Sequence, residues 1–174
     1  MLMIESARVD APRHASFAVP ASPESVPLAR KMTELVARAW TDPVEDFADT
    51  LLLLLSELFT NAVRHGVDPS SRGRVRIGVD LVETKTGMHV EVHDPNQGES
   101  GEVALSHASA HSESGRGLEL VNELASAWGW KYTDTGKFVF FDLDEPSPNQ
   151  GRDSARQARY LACPEMLPQL EDRL

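Results

Sequence analysis

Between His14 and Pro20 the chain alternates, with Ala15, Phe17 and Val19 set against His14, Ser16 and Ala18. That period of two predicts a short strand with one face buried. Ser22 followed by Pro23 marks a helix start. This helix is expected to run to about Trp40, with Leu28, Met32, Leu35, Val36 and Ala39 on its inner face. Thr41-Asp42-Pro43 repeats the start signal, and a longer helix follows from Val44 to His65, closed by Gly66. At 1.5 Å per residue it would be about 33 Å long. The run Leu51–Leu55 is apolar on every side of that helix, so the helix should be covered on most sides and lie at the centre of the domain.

Strand periodicity returns in Arg74–Val82, where Val75, Ile77, Val79 and Leu81 alternate with polar or small residues. It returns again in Met88–His93 after a turn at Thr86-Gly87, which predicts an antiparallel hairpin. Asp94–Ser114 is rich in Gly, Ser and His and has no periodicity. A loop of about 20 residues is unusual inside a compact domain and is typical of a functional lid. Arg116–Trp128 is expected to be a helix, and Lys131–Thr133 with Lys137–Leu143 a closing hairpin around Asp134-Thr135-Gly136. Helices interleaved with antiparallel strands predict an α+β fold, a two-layer α/β sandwich with an open, mixed and mainly antiparallel sheet. Residues 1–12 lack a pattern and are expected to be disordered. Residues 13–144 form the domain, and 145–174 a tail with no assigned role and a short helix near Ser154–Leu161.

Composition narrows the function. The 174 residues carry a net charge of −10, which argues against direct nucleic-acid binding and suits a basic protein partner. One cysteine, Cys163, cannot form an internal disulfide. The longest apolar run, Leu51–Leu55, is far short of the roughly 20 residues of a membrane helix, and Met1 to Ala11 lacks a signal-peptide pattern. A cytoplasmic protein without a membrane segment is expected.

Three groups of residues could carry chemistry. Glu57 and Asn61 are four apart on one face of the long helix, and His65 extends the row. The Asn61 carboxamide oxygen suits Mg²⁺, an oxygen-preferring cation, and Glu57 suits a general base. Taken alone, the same residues more readily fit a solvent edge, with Arg64 and His65 as a basic helix end. Asp94 closes a strand before the loop, as a hydrogen-bond acceptor for a base amine or as a turn starter. Ser114-Gly115-Arg116-Gly117-Leu118 stands where loop becomes helix. Glycines there let the backbone approach a phosphate, and Arg116 could add a charged contact; a plain hinge is the alternative. There is no Walker A sequence. His107 and His111 are four apart, but their Ser-rich surroundings favour ordinary loop histidines over zinc ligands.

In order and spacing these groups resemble the GHKL ATPases, named for gyrase, Hsp90, histidine kinases and MutL. Glu57-Leu58-x-Thr60-Asn61-Ala62-x-x-His65-Gly66 looks like the N box, Asp94 the first glycine box, Gly115-Arg116-Gly117-Leu118 the second, and Val139-Phe140-Phe141 the last strand. The small size is similar to the anti-sigma-factor serine kinases, in particular the single-domain actinobacterial regulators.

The resemblance implies a Bergerat fold, with ATP and Mg²⁺ as cofactors. It makes Glu57 the catalytic base, with Arg116 the cation beside it, and Asn61 the metal ligand. Asp94 would bond the adenine amine, His65 and Gly98 would border the nucleotide, and Gly115, Arg116, Gly117 and Leu118 the phosphates. It further implies γ-phosphate transfer to a serine of an antagonist protein, sequestration of a sigma factor, and a homodimer. The sequence departs from the family in Asp94-Pro95-Asn96-Gln97-Gly98, which keeps only the second glycine of the first box. It departs again at Phe138, where related sequences often carry Thr near the adenine. A degenerate GHKL-fold regulator with weak or no nucleotide turnover is the alternative.

Overall fold

The alternating segments pair into one sheet, and the order of the strands decides which residues meet. A computed structural model describes residues 12–40, 45–95, 116–146 and 159–161. Strands β1 (His14–Pro20), β2 (Arg76–Glu83), β3 (Gly87–Asp94), β4 (Ala127–Thr133), β5 (Gly136–Asp144) and β6 (Arg159–Leu161) run in the order β1-β2-β3-β5-β4-β6. All pairs are antiparallel except β4 with β6, which is parallel, so the sheet is mixed as the pattern predicts. Helices α1 (Val26–Trp40), α2 (Glu45–His65) and α3 (Arg116–Leu124) complete the α+β sandwich.

Register explains the core. Phe17, Val79, Val92, Val139 and Trp130 form one row across five strands, and Ala15, Leu81, Val90, Phe141 and Trp128 form the next. Paired residues in a sheet share a face, so both rows turn toward α2. Leu51, Leu54 and Leu55 of α2 are fully buried with Phe59, and Leu58 nearly so. Burying each such side chain stabilises the fold by about 1.5–3 kcal/mol. Only Leu53 of the leucine run is exposed, which fits a helix covered on most sides. Trp128 is buried, and Trp40 and Trp130 pack against the same core.

Four expectations are corrected. The buried face of α1 is Ala29, Thr33 and Ala37, whereas Leu28 and Leu35 are 49% and 57% exposed and Ala39 is exposed too. Small residues four apart let α1 lie close against α2, and Arg30 Nη1 bonds both the Leu52 carbonyl at 2.9 Å and Ser56 Oγ at 2.6 Å across that contact. Val26, Met32, Val36 and Trp40 pack at its flanks. The first turn of the expected helix is a separate 3₁₀ turn, Pro23–Ser25, and Ser22 bonds no backbone amide as a cap.

The helix after the loop ends at Leu124, not Trp128. Ser126 donates its backbone N–H to the Asp142 carbonyl at 2.8 Å, and Trp128 and Trp130 enter β4 opposite Phe141 and Val139. Cross-strand aromatic packing outweighs the short helical pattern there. In the tail, Arg159–Leu161 is a strand rather than part of a helix, held by its parallel pairing to β4. The expected helix cap at Thr41-Asp42-Pro43, most of the lid, the two loop histidines, Cys163 and the N-terminal segment lie outside the described residues.

Candidate nucleotide site

Two close approaches organise the site, and both involve glycines that α2 and α3 bring against a carboxylate. A Cβ on Gly117 would lie 2.5 Å from Glu57 Oε2. The backbone at the start of α3 therefore rests on the Glu57 side chain, with room only for hydrogen. At the other end, a Cβ on Gly66 would lie 2.3 Å from Asp94 Cγ. Gly66 also donates its backbone N–H to the Ala62 carbonyl at 2.8 Å, ending α2.

The helix fixes what lies between. Glu57 and Asn61 are both half-buried, one turn apart, and His65 is exposed one turn further on. At 1.5 Å per residue, Glu57 and Gly66 are about 13 Å apart along the axis. The expected site residues thus fall on one line: Gly117 and Glu57, then Asn61, then His65, Gly66 and Asp94. Gly117 is buried and Leu118 packs against the core. Arg116 is the first residue of α3. Gly98 and Gly115 lie outside the described residues.

Asp94 ends β3 with its side chain turned inward and 2% exposed. Its Oδ2 lies 3.2 Å from Lys137 Nζ. Lys137 is a residue the sequence reading did not single out. The register accounts for it, because Asp94 and Lys137 stand directly opposite each other in the β3–β5 pair. Two opposite charges at the facing ends of two strands are the only sequence signal of this contact, and they are readable only once the pairing is known.

Phe138 is placed differently from expectation. It pairs with His93, and the two rings are 5.2 Å apart on the opposite face of the sheet from Asp94. Alternation along β5 therefore sets Lys137, not Phe138, beside the Asp94 end of the site.

The match to known families is decisive for the fold. Residues 19–142 match the histidine kinase-like ATPase domain. The chain belongs to that family. No curated protein matches it at a significant level. No helix among the described residues is long and apolar enough to cross a membrane.

For a histidine kinase-like ATPase domain, ATP binding is implied, usually with Mg²⁺. The Glu57–Asn61–Gly117 end fits that group. A carboxamide oxygen one helical turn from a carboxylate provides oxygen donors of the kind Mg²⁺ takes. The glycine packed on Glu57 keeps clear the space a side chain would fill. The Asp94 end fits less simply, because a lysine already contacts the carboxylate expected to meet the base.

Proposed function

We propose that this ATPase-family domain is a regulatory protein serine kinase of the anti-sigma-factor type. It would transfer the ATP γ-phosphoryl group to a serine of an antagonist protein, and sequester a sigma factor in its other partner state. The observation that carries this reading is the packing of Gly117 against Glu57, with Asn61 one turn along the same helix face.

In this reading Mg²⁺-ATP supplies the phosphoryl group and the charge neutralisation that such transfers need. Asn61 holds the metal through its carboxamide oxygen. Glu57 accepts the proton of the attacking serine hydroxyl as the new O–P bond forms and ADP departs. Gly117, with Gly115 and Leu118, borders the phosphates, and Arg116 supplies a cation at the start of α3. His65, Asp94 and Gly98 border the nucleoside. Asp94 and Gly66 would then border the base, and Glu57 the terminal phosphate. The net charge of −10 suits basic surfaces on a protein partner rather than nucleic acid. We place the protein in the cytoplasm as a homodimer.

Calorimetric titration with ATP and ADP, with and without Mg²⁺, tests the site. Mg²⁺-dependent binding that Asn61→Ala abolishes supports it, and phosphate transfer to a candidate antagonist that Glu57→Ala abolishes supports the kinase. Full transfer by Glu57→Ala would sink the mechanism.

One observation favours a second reading. Lys137 contacts Asp94, the residue that would meet the base, and this suits a degenerate regulator that binds protein partners and turns over little or no nucleotide. No binding at millimolar ATP would select it.

A further inference from the structure

The sheet face turned away from α2 carries histidines and carboxylates that the nucleotide site does not use. Asp80 on β2 stands directly opposite Glu91 on β3, and His93 follows Glu91 by two residues, on the same face. His93 Nε2 lies 2.9 Å from Asp80 Oδ2 and 2.9 Å from Glu91 Oε2. The three ligand atoms lie within 4.8 Å of one another. That nitrogen is buried and stands at the same distance from both carboxylates, rather than being committed to one of them. A ring nitrogen converging with two carboxylate oxygens is an arrangement in which ligands gather around a shared cation.

The surrounding groups are arranged to the same end. The far oxygen of each carboxylate is bonded from outside the cluster. His14 Nε2 lies 3.2 Å from Asp80 Oδ1, and His89 Nε2 lies 3.1 Å from Glu91 Oε1. His89 Nδ1 is in turn 2.5 Å from Asp142 Oδ1. Outer hydrogen bonds of this kind orient metal-binding carboxylates. The Phe138 ring beside His93 and the Phe140 ring 5.4 Å from His89 give the cluster an apolar flank.

We propose that Asp80, Glu91 and His93 form a binding site for one divalent cation of the Zn²⁺ class, which ties β2 to β3. The donor set selects the class. Mg²⁺ and Ca²⁺ favour oxygen donors throughout, whereas one imidazole with carboxylates suits Zn²⁺ and its first-row neighbours. Three protein ligands leave a coordination position for water. The site is separate from Glu57 and Asn61, so its test does not depend on nucleotide.

The test uses the full chain, stripped with chelator and free of nucleotide, titrated with Zn²⁺ and with Co²⁺ as a spectroscopic probe. One equivalent should bind. His93→Gln and Asp80→Asn should each weaken that binding by about 100-fold or more, and His14→Ala by about tenfold, as loss of an outer partner does. Cys163→Ser and His107→Ala should leave it unchanged. Thermal melts without metal confirm that each variant folds. In the wild type, bound Co²⁺ should broaden NMR signals of β2 and β3 before any others, which needs no variant. Absence of binding at micromolar Zn²⁺, unchanged affinity in His93→Gln, or broadening confined to other segments would overturn the proposal.

Discussion

Lys137 Nζ lies 3.2 Å from Asp94 Oδ2, with the two side chains 11% and 2% exposed. The carboxylate that the family pattern sets against a base amine therefore has a cationic neighbour from the adjacent strand. If Asp94 meets the base as proposed, the pair ties the sheet register to nucleotide affinity, and it bears on both readings of the function.

Replacing Lys137 with Met keeps the apolar stem and removes the charge. Removing the cation beside a buried carboxylate costs up to about 3 kcal/mol, so the nucleotide-free protein should melt at a lower temperature. ATP affinity should rise about tenfold, equivalent to roughly 1.4 kcal/mol, because the base amine no longer competes with the lysine. Calorimetry beside thermal melts measures both. Unchanged ATP affinity would show that Asp94 does not meet the base.

Gly117→Ala separates folding from catalysis. Alanine favours a helix over glycine by up to about 1 kcal/mol, and the atom it meets, Glu57 Oε2, is the mobile end of a side chain. The variant should fold with near-normal stability while its Glu57 carboxylate is displaced. A shift of about 1 Å at a catalytic group can lower turnover by about 100-fold. The expected result is a large fall in phosphotransfer at saturating ATP with an unchanged melt.

Gly66→Ala should behave in the opposite way. The added methyl meets Asp94 Cγ at 2.3 Å and Cβ at 2.6 Å, atoms near the backbone that cannot swing aside. Overpacking of this kind costs about 1–3 kcal/mol, visible as a lower urea midpoint before any nucleotide is added.

The face assigned to α1 is tested by two substitutions. Leu35, at 57% exposure, should tolerate Ser within about 0.5 kcal/mol. Ala37, at 1% exposure, should lose about 1–3 kcal/mol when enlarged to Leu. Loss of Leu55, fully buried on α2, should cost about 2–5 kcal/mol in Leu55→Ala. Equal effects at Leu35 and Ala37 would mean that α1 is rotated from this position.

The outer face of the sheet sets a pH dependence, best read in chelator-treated protein. Burial opposes a charge on His89, but hydrogen bonds and charges of Asp142 on β5 and Glu91 on β3 outweigh it and raise its pKa from 6.5 to about 9. The residue opposite it on β2, Val82, is uncharged. The folded state therefore binds more protons than the unfolded state between these values. The stabilisation is complete below pH 6.5 and is lost as pH rises through about 9. Glu91 works the other way. Burial raises its pKa, but His89 and His93 together lower it from 4.5 to about 2, so its contribution is present above 4.5 and lost on acidification. Urea midpoints measured across both limbs should fall at each end, and His89→Gln should flatten the alkaline one.

Local pattern was enough for most of the elements, though not for the end of α3, the start of β4 or the strand β6. Alternation marked β1 from His14 to Pro20 at its observed bounds, and the leucine run marked α2 as the central helix. The spacing of Glu57, Asn61 and His65 placed them on one helix face. A helix surface is fixed by its own period, so no partner was needed to see it.

Contacts between distant segments were not legible in that way. The Asp94–Lys137 and Asp80–Glu91 pairs join residues on different strands, and only the strand order and register bring them together. The same holds for α1, where hydrophobicity pointed to Leu28 and Leu35 but close packing on α2 selected the small face of Ala29, Thr33 and Ala37. The sequence by itself determined most of the elements, the family motifs and the row of Glu57, Asn61 and His65 on α2, because each depends on spacing within one segment. The tertiary structure alone decided which carboxylate meets which glycine, lysine or histidine, because those meetings depend on how separate segments pack.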